Sequence, residues 1–247
     1  MDSVAANSLS PPTLAARGPV PTLAVIVPVH VEPDIDRRLD GVSALQPDEL
    51  IVVEAGDVVT GDRLQTFASK QADPGSVRIL RAPRGRALQM NAGAKQAKSD
   101  ILLFVHADTV LPANALSLVR EAIAQGHVWG RFDVQLSGAG AAFRVIEWAM
   151  NRRSALTGIA TGDQTIFVRR DVFNMLGGFA PIVLMEDIEF SKRLLRVGPP
   201  ACLSAQVITS GRRWLQRGIW PTIWLMWQLR WDYWRGKPAA QLAERYR

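Results

Sequence analysis

Residues 101–108 read Ile101-Leu102-Leu103-Phe104-Val105-His106-Ala107-Asp108, five apolar residues without a break and then an imidazole and a carboxylate. A short continuous apolar run is what a strand buried on both faces looks like. Polar residues where such a strand leaves the sheet mark its carboxyl edge, and in open α/β sheets ligands bind there. His106 and Asp108 lie two apart, so from an extended backbone they point the same way and are able to share one cation. The stretch predicts a metal-bound nucleotide diphosphate at this edge.

The flanking sequence repeats the pattern. Residues 23–29 (LAVIVPV, with Pro28 inside) form a second buried strand, followed by His30-Val31-Glu32-Pro33. Residues 33–45 read as a helix, with Ile35, Leu39, Val42 and Leu45 at helical spacing. A strand over 50–53 ends at Glu54-Ala55-Gly56-Asp57, a helix covers 64–71, and a strand over 77–80 runs into Arg81-Ala82-Pro83-Arg84-Gly85-Arg86. Residues 87–98, rich in Ala, Gln, Met and Lys, and residues 113–125 are helical. Strand–helix alternation with short connections predicts a parallel sheet covered on both faces. Right-handed crossovers bring its polar strand ends to one edge.

Beyond Gly130 the pattern changes. Residues 131–136 alternate, as a half-exposed antiparallel strand should, and 141–156 form an amphipathic helix. A glycine-containing loop over 157–163 leads to a strand over 164–168 and a short helix from Asp171 to Gly177-Gly178. Glu186-Asp187 precedes a helix over 188–196, a last strand covers 206–209, and Ser210 is placed to cap the next helix.

Composition bounds the function. The 247 residues, 48% hydrophobic and 21% charged, suit one large domain, and the net charge of +6 favours acidic partners such as phosphorylated ligands or anionic lipid. The single cysteine, Cys202, excludes an intramolecular disulfide and a cysteine-built zinc cage. Residues 1–21 read as a flexible tail without the ordered parts of a signal peptide. No stretch reaches the about 18 uninterrupted apolar residues of a spanning helix; the nearest, 219–229, is interrupted by Pro, Thr and Gln.

Glu186 and Asp187 suit helix capping, because carboxylates in a first turn face free amides and the helix dipole. They also suit a general base at a pocket rim. Asp108 with His106 suits Mg or Mn, the imidazole shifting the balance toward Mn. Arg84-Gly85-Arg86 lacks the spacing of a P-loop and reads as paired guanidinium groups for phosphate or a base edge.

The runs VIVPVHVEP, IVVEAGD, PRGRALQMNAGA, ILLFVHAD, GDQTIFVRRDVFNMLGGF and LMEDIEFSKRL together resemble a family 2 glycosyltransferase of the GT-A fold, over about residues 22–215. PRGRA, QMNAG, LFVHADT and GDQ resemble the arsenosugar-biosynthesis or radical-SAM/selenodomain-associated subgroup. The resemblance implies a Rossmann-like, mostly parallel sheet flanked by helices over 22–210, with a Trp-rich helical extension over 211–247. It also implies inverting, divalent-metal-dependent transfer from a nucleotide-diphosphate sugar to an acceptor hydroxyl. Asp108 matches the last Asp of the DxD motif, His106 stands at its first, and Asp187 matches the final Asp of the ED motif, the base, with Glu186 beside it. Glu32 falls at the ribose contact, Glu54 at the base contact, and Arg86, with Arg84 and Pro28 nearby, on the donor side. Arg213-Trp214 resembles the end of the QxxRW motif. Ser210 replaces its Gln, which argues against processive polymerisation.

Trp220, Trp224, Trp227, Trp231 and Trp234, at spacings of 4, 3, 4 and 3, make one stripe on a helix. Such a stripe suits packing against the domain. Beside Arg217, Arg230, Arg235 and Lys237, and widened by Leu225 and Leu229, it also suits lying on anionic lipid. The expected partners are the donor, a small or lipid-linked acceptor and a membrane surface. No nucleic-acid motif is present. The expected location is the cytoplasm, with peripheral contact on the inner face of the cell membrane. Two other classes compete. A nucleotidyltransferase wants a Gly-rich phosphate turn where His30-Val31-Glu32-Pro33 stands. A non-catalytic surface-binding protein leaves the acidic strand ends without a role.

Overall fold

The computed structural model describes residues 20–30, 32, 34–56, 58–71, 77–138, 140–212 and 218–246. Most of the expected tail, Asp57, and Arg213 with Trp214 and Arg217 lie outside them.

Strand β1 (Leu23–Val29) is buried at every position, as its unbroken apolar run requires. It pairs in parallel with β2 (Glu49–Glu54) on one side and with β4 (Ile101–Phe104) on the other, and β2 pairs in parallel with β3 (Val77–Arg81). The order among the described residues is β3-β2-β1-β4-β6-β5-β7. The chain therefore builds outward from β1 in one direction, then returns to β1's other side with β4. The carboxyl ends of β1 and β4 flank that switch point, where diverging connections leave a crevice.

Alternate side chains of β1 serve opposite faces. Leu23, Val25, Val27 and Val29 pack with Ile35, Leu39 and Val42 of α1 (Ile35–Ser43), with Leu64 and Phe67 of α2 (Val58–Ser69) and with α4 (Ala115–Ala124). Ala24 and Ile26 face α3 (Arg86–Gln96), α6 (Arg170–Met175) and α7 (Glu186–Leu194), together with Phe104, Phe173, Phe179 and Phe190. This is the mixed α/β sheet flanked by helices that the sequence predicted.

The second half departs from expectation in one informative way. Strand β5 (Trp129–Ser137) does pair antiparallel with β6 (Ile166–Arg169), but it also pairs in parallel with β7 (Ala201–Ser210). It is an inner strand, and it keeps the expected alternation: Phe132, Val134 and Leu136 are buried while Asp133 and Gln135 are half-buried. Its polar alternation survives burial because Arg131, 2% exposed, is ion-paired with Asp133. The exposed edge falls to β7, which is longer than predicted and alternates buried with open positions. Helix α5 (Ala141–Thr157) packs on β5 through Phe143 and Ile146.

Two further helices, α8 (Ile219–Trp234) and α9 (Ala239–Tyr246), fold back on the start of α7. Leu229 and Leu242 join Met185 and Ile188 in a small cluster of their own. The five tryptophans point elsewhere, each 58–81% exposed, which overturns the packing reading of the stripe. Leu225 and Leu229 do not widen it; they lie on the packed side of α8.

Helix α3 lies close on the sheet where Gly93 passes β1. A Cβ there would sit 2.6 Å from Ile26 Cγ2 and 3.2 Å from Val53 Cγ2, both on buried β-branched side chains that have little rotamer freedom. Replacing glycine in a helix gains about 0.5–1 kcal/mol of propensity, while overpacking a core costs about 1–3 kcal/mol. Gly93→Val, β-branched and larger than Ala, should lose about 2 kcal/mol in urea denaturation. An unchanged midpoint would mean that α3 is free to shift off the sheet.

Candidate active site

Two adjoining cavities open at the carboxyl edge of the sheet. The smaller, about 340 Å³, lies between the ends of β1 and β4 and the start of α3, and is lined by Pro28, His30, Glu32, Arg84, Arg86, Gln89, His106 and Asp108 among others. The larger, about 610 Å³, extends from Arg86, His106 and Asp108 past Asp163, Glu186 and Asp187 to Thr209, Arg212, Arg230 and Tyr246. Of the residues singled out in the sequence, Pro28, Glu32, Arg84, Arg86, His106, Asp108, Glu186 and Asp187 are thus brought together. Glu54 is not: it is buried, ion-paired with Arg81 and pressed against Gly61 of α2, and lines neither cavity. Arg213 lies outside the described residues.

Local structure sets each of these side chains. Gly85 takes φ of +148°, a conformation glycine reaches without steric cost, and α3 starts directly after it with Arg86. One turn on, Gln89 donates from Nε2 to Val29 O and Val53 O, each at 2.7 Å. This buried amide ties the ends of β1 and β2 together and fixes the start of α3 beside the smaller cavity. In the sequence Gln89 opens the QMNAG run that carries the resemblance, but no role is legible for it there.

The acidic pair depends on strained backbone. Met185 precedes α7 with φ of +68° and Thr165 comes after the 3-10 turn Gly162–Gln164 with φ of +51°; neither is a glycine. Such residues cost stability and persist where the surroundings hold them. Asp187 Oδ2 accepts the N–H of Gly162 at 2.7 Å, and its Oδ1 accepts the N–H of Ile188 at 2.7 Å. The carboxylate therefore caps its own helix and clasps the turn while facing the cavity, so the two sequence readings coexist. Ser191 adds a second clasp: its hydroxyl accepts from Ala160 N at 3.2 Å and donates to Ala160 O at 3.1 Å.

His106 braces the same turn. Its Nδ1 lies 3.6 Å from Asp163 Oδ1, and a Cβ on Gly162 would fall 2.4 Å from its Nε2 and Cε1. Both ring nitrogens are thereby turned toward residues 162 and 163.

Charge is concentrated here. Burial disfavours the Arg86 cation, but Glu186, Asp163, Asp187 and Asp108 outweigh it and hold the guanidinium above its ordinary value. Its Nη1 lies 3.5 Å from Glu186 Oε1. Burial, then the neighbouring Asp187, push the Glu186 carboxyl above its ordinary range against the pull of Arg86. Arg212 reaches across to Glu32 with contacts of 3.1 and 3.2 Å. Arg230 is the clearest correction: read as a lipid contact, it turns inward and lines the larger cavity. Lys237 is paired with Asp232 at 2.8 Å.

Comparison with known proteins decides the family. The pattern of glycosyl transferase family 2 matches residues 24–176. The chain belongs to that family. A mannosyltransferase, PcManGT from Pyrobaculum calidifontis in complex with GDP-Man and Mn2+, superimposes with a TM-score of 0.63 at 19% identity, over 85% of this chain and 60% of its own. Residues 1–349 of S. aureus TarS give 0.60 at 18% identity, over 76% of this chain and 60% of TarS. The family 2 chain thus spans about three-fifths of these structures and shares their GT-A-like fold. No curated protein matches it.

The raised Glu186 value has a consequence for stability. Native Glu186 keeps its proton to higher pH than the unfolded chain, so its contribution is full below the ordinary value near 4.5 and is lost as pH rises through the native value. Wild type should lose stability relative to Glu186→Gln as pH rises above that value, in denaturant titrations at several pH values. Parallel profiles would remove the carboxyl from the coupled pair.

Proposed function

We propose that this family 2 chain is an inverting glycosyltransferase that moves a sugar from a nucleoside-diphosphate donor to an acceptor hydroxyl. The observation that carries the reading is that Asp108, just past the end of β4, and Asp187, at the start of α7, line one cavity at the carboxyl edge of the sheet. The nucleotide is assigned to the smaller cavity, where Arg84 and Arg86 face the space between the β1 and β4 ends. The subgroup carrying PRGRA, QMNAG, LFVHADT and GDQ is the part of the family we assign it to.

Among the described residues no three His, Cys, Asp or Glu side chains group to hold a metal ion. An ion that arrives on donor phosphates needs only one or two carboxylates from the protein, and Asp108 fits that part. Mn2+ or Mg2+, when bound, supplies charge neutralisation at the diphosphate. With both its ring nitrogens turned toward the 162–163 turn, His106 is assigned to bracing that turn, leaving Asp108 as the ligand.

Asp187 accepts the acceptor hydroxyl proton as that oxygen attacks the anomeric carbon, and the bond to the diphosphate breaks on the opposite face. Two backbone N–H donors hold the Asp187 carboxylate in place, and Arg86 offers positive charge toward the leaving group. Asp187→Asn should cut transfer by about a hundredfold or more while leaving Mn-dependent donor binding within about twofold of wild type. Joint loss of binding and turnover would make Asp187 structural. Asp108→Ala should instead weaken donor binding in Mn; unchanged affinity would remove Asp108 from the metal site.

The exposed tryptophan stripe supports peripheral contact with lipid. Five indoles on one helix face form an amphipathic surface that suits the headgroup boundary, and no described helix is long and apolar enough to cross a membrane. Trp220→Ser, Trp224→Ser and Trp227→Ser combined should abolish flotation with anionic vesicles. Equal flotation of variant and wild type would end this reading.

A further inference from the structure

Among the described residues the two cavities share six: Arg86, His106, Asp108, Leu184, Glu186 and Tyr246. These six form the junction between the donor side, with Arg84, and the space that holds Asp187. Whatever passes from a diphosphate in the smaller cavity to an acceptor over Asp187 sits against this junction. Four of the six are ionisable and already have roles. Arg86 lies beside Glu186, Asp108 is assigned to the ion, and His106 braces the 162–163 turn. Leu184 and Tyr246 supply the apolar surface of the junction.

Tyr246 stands at the end of α9, and both packing and charge hold that helix in place. Leu242, 1% exposed, packs with Leu229 of α8 and with Met185 and Ile188 at the start of α7. Arg245 donates from Nη1 to Asp232 Oδ2 at 2.6 Å and from Nη2 to Gln228 Oε1 at 2.8 Å, both acceptors lying on α8. Lys237, between the two helices, engages the other oxygen of Asp232 at 2.8 Å. Leu184 and Tyr246 both pack against the Leu229–Leu242 cluster, so the apolar wall of the junction is continuous with a small core. Tyr246 is half-buried, resting on that cluster while it borders both cavities.

We propose that Tyr246, with Leu184, forms the wall against which the donor's sugar ring rests, which makes Tyr246 a determinant of the sugar transferred. The proposal rests on the transferase reading and names a residue of its sugar subsite. A pyranose carries hydroxyls around its edge and C–H bonds on its faces, so a ring face is covered best by an aromatic or aliphatic side chain. Ligand pockets combine a few polar anchors with an apolar lining. Here the charged groups of the junction serve the diphosphate and its ion, and Tyr246 with Leu184 is the lining that remains for the ring. A nucleoside diphosphate without its sugar has no ring to place against Tyr246.

The test is calorimetric titration of the full chain, in Mn2+, with GDP-mannose, UDP-glucose and UDP-N-acetylglucosamine, each beside GDP or UDP alone. Wild type, Tyr246→Ala and Tyr246→Phe are compared. For the nucleotide sugar that wild type binds most tightly, Tyr246→Ala should lose about tenfold in affinity while its affinity for the bare diphosphate stays within about twofold. Tyr246→Phe, which keeps the ring, should bind both within about twofold of wild type. Unchanged nucleotide-sugar affinity in Tyr246→Ala would overturn the subsite. An equal loss for the nucleotide sugar and the bare diphosphate would make Tyr246 structural, and an equal loss in Tyr246→Phe would move the contact from the ring to the hydroxyl; each overturns it too. So does a wild type that binds the diphosphates and none of the three nucleotide sugars. Failure of the donor reading looks different: wild type then binds no nucleoside diphosphate in Mn2+, and the subsite falls with it.

Discussion

The hydrogen bond from Gly162 N–H to Asp187 Oδ2 holds the second half of the site to the first. Gly162 is pressed against His106 at the end of β4, and Asp187 begins α7, so one 2.7 Å contact joins a strand end, a turn and a helix start. Glycine is required there because any Cβ would enter the imidazole ring. The positive φ of Thr165 and Met185 on either side is strain that this contact and the Phe173–Phe179–Phe190 cluster beneath it sustain. A carboxylate held at both oxygens has little orientational freedom left to lose.

Electrostatics divide the edge into two territories with Asp187 between them. On one side Arg86 is stabilised as a cation by four carboxylates, and Glu186 beside it is pushed toward neutrality. On the other, Arg153 and Arg230 sit where burial works against their charge. Asp187 and Asp163 act on the cations of both sides, so the same acidic groups are shared between them.

Helix α8 shows how one segment serves two surfaces. Its Trp positions repeat at 4 and 3, which keeps them on one face, while Thr222, Met226 and Arg230 occupy another that meets the cavity. Leu229 is fully buried between helix and domain. One helix thus presents an exposed indole stripe and a cavity-lining stripe at once.

The four apolar runs that became β1–β4, their alternation with helices, and the polar residues at their ends were set by local sequence. Period and burial in a parallel sheet leave little choice of fold. Asp108, Arg86, Glu186 and Asp187, which line one cavity, were legible for the same reason: each sits at the end of an element that the pattern already defined. Glu54 was misleading because strand ends also take structural ion pairs, here with Arg81. Tertiary structure alone decided that 131–136 is an inner strand, paired antiparallel with β6 and parallel with β7. It alone turned Arg230 into the larger cavity and the tryptophans outward, because helical period groups residues on faces but carries no information about which face meets the domain.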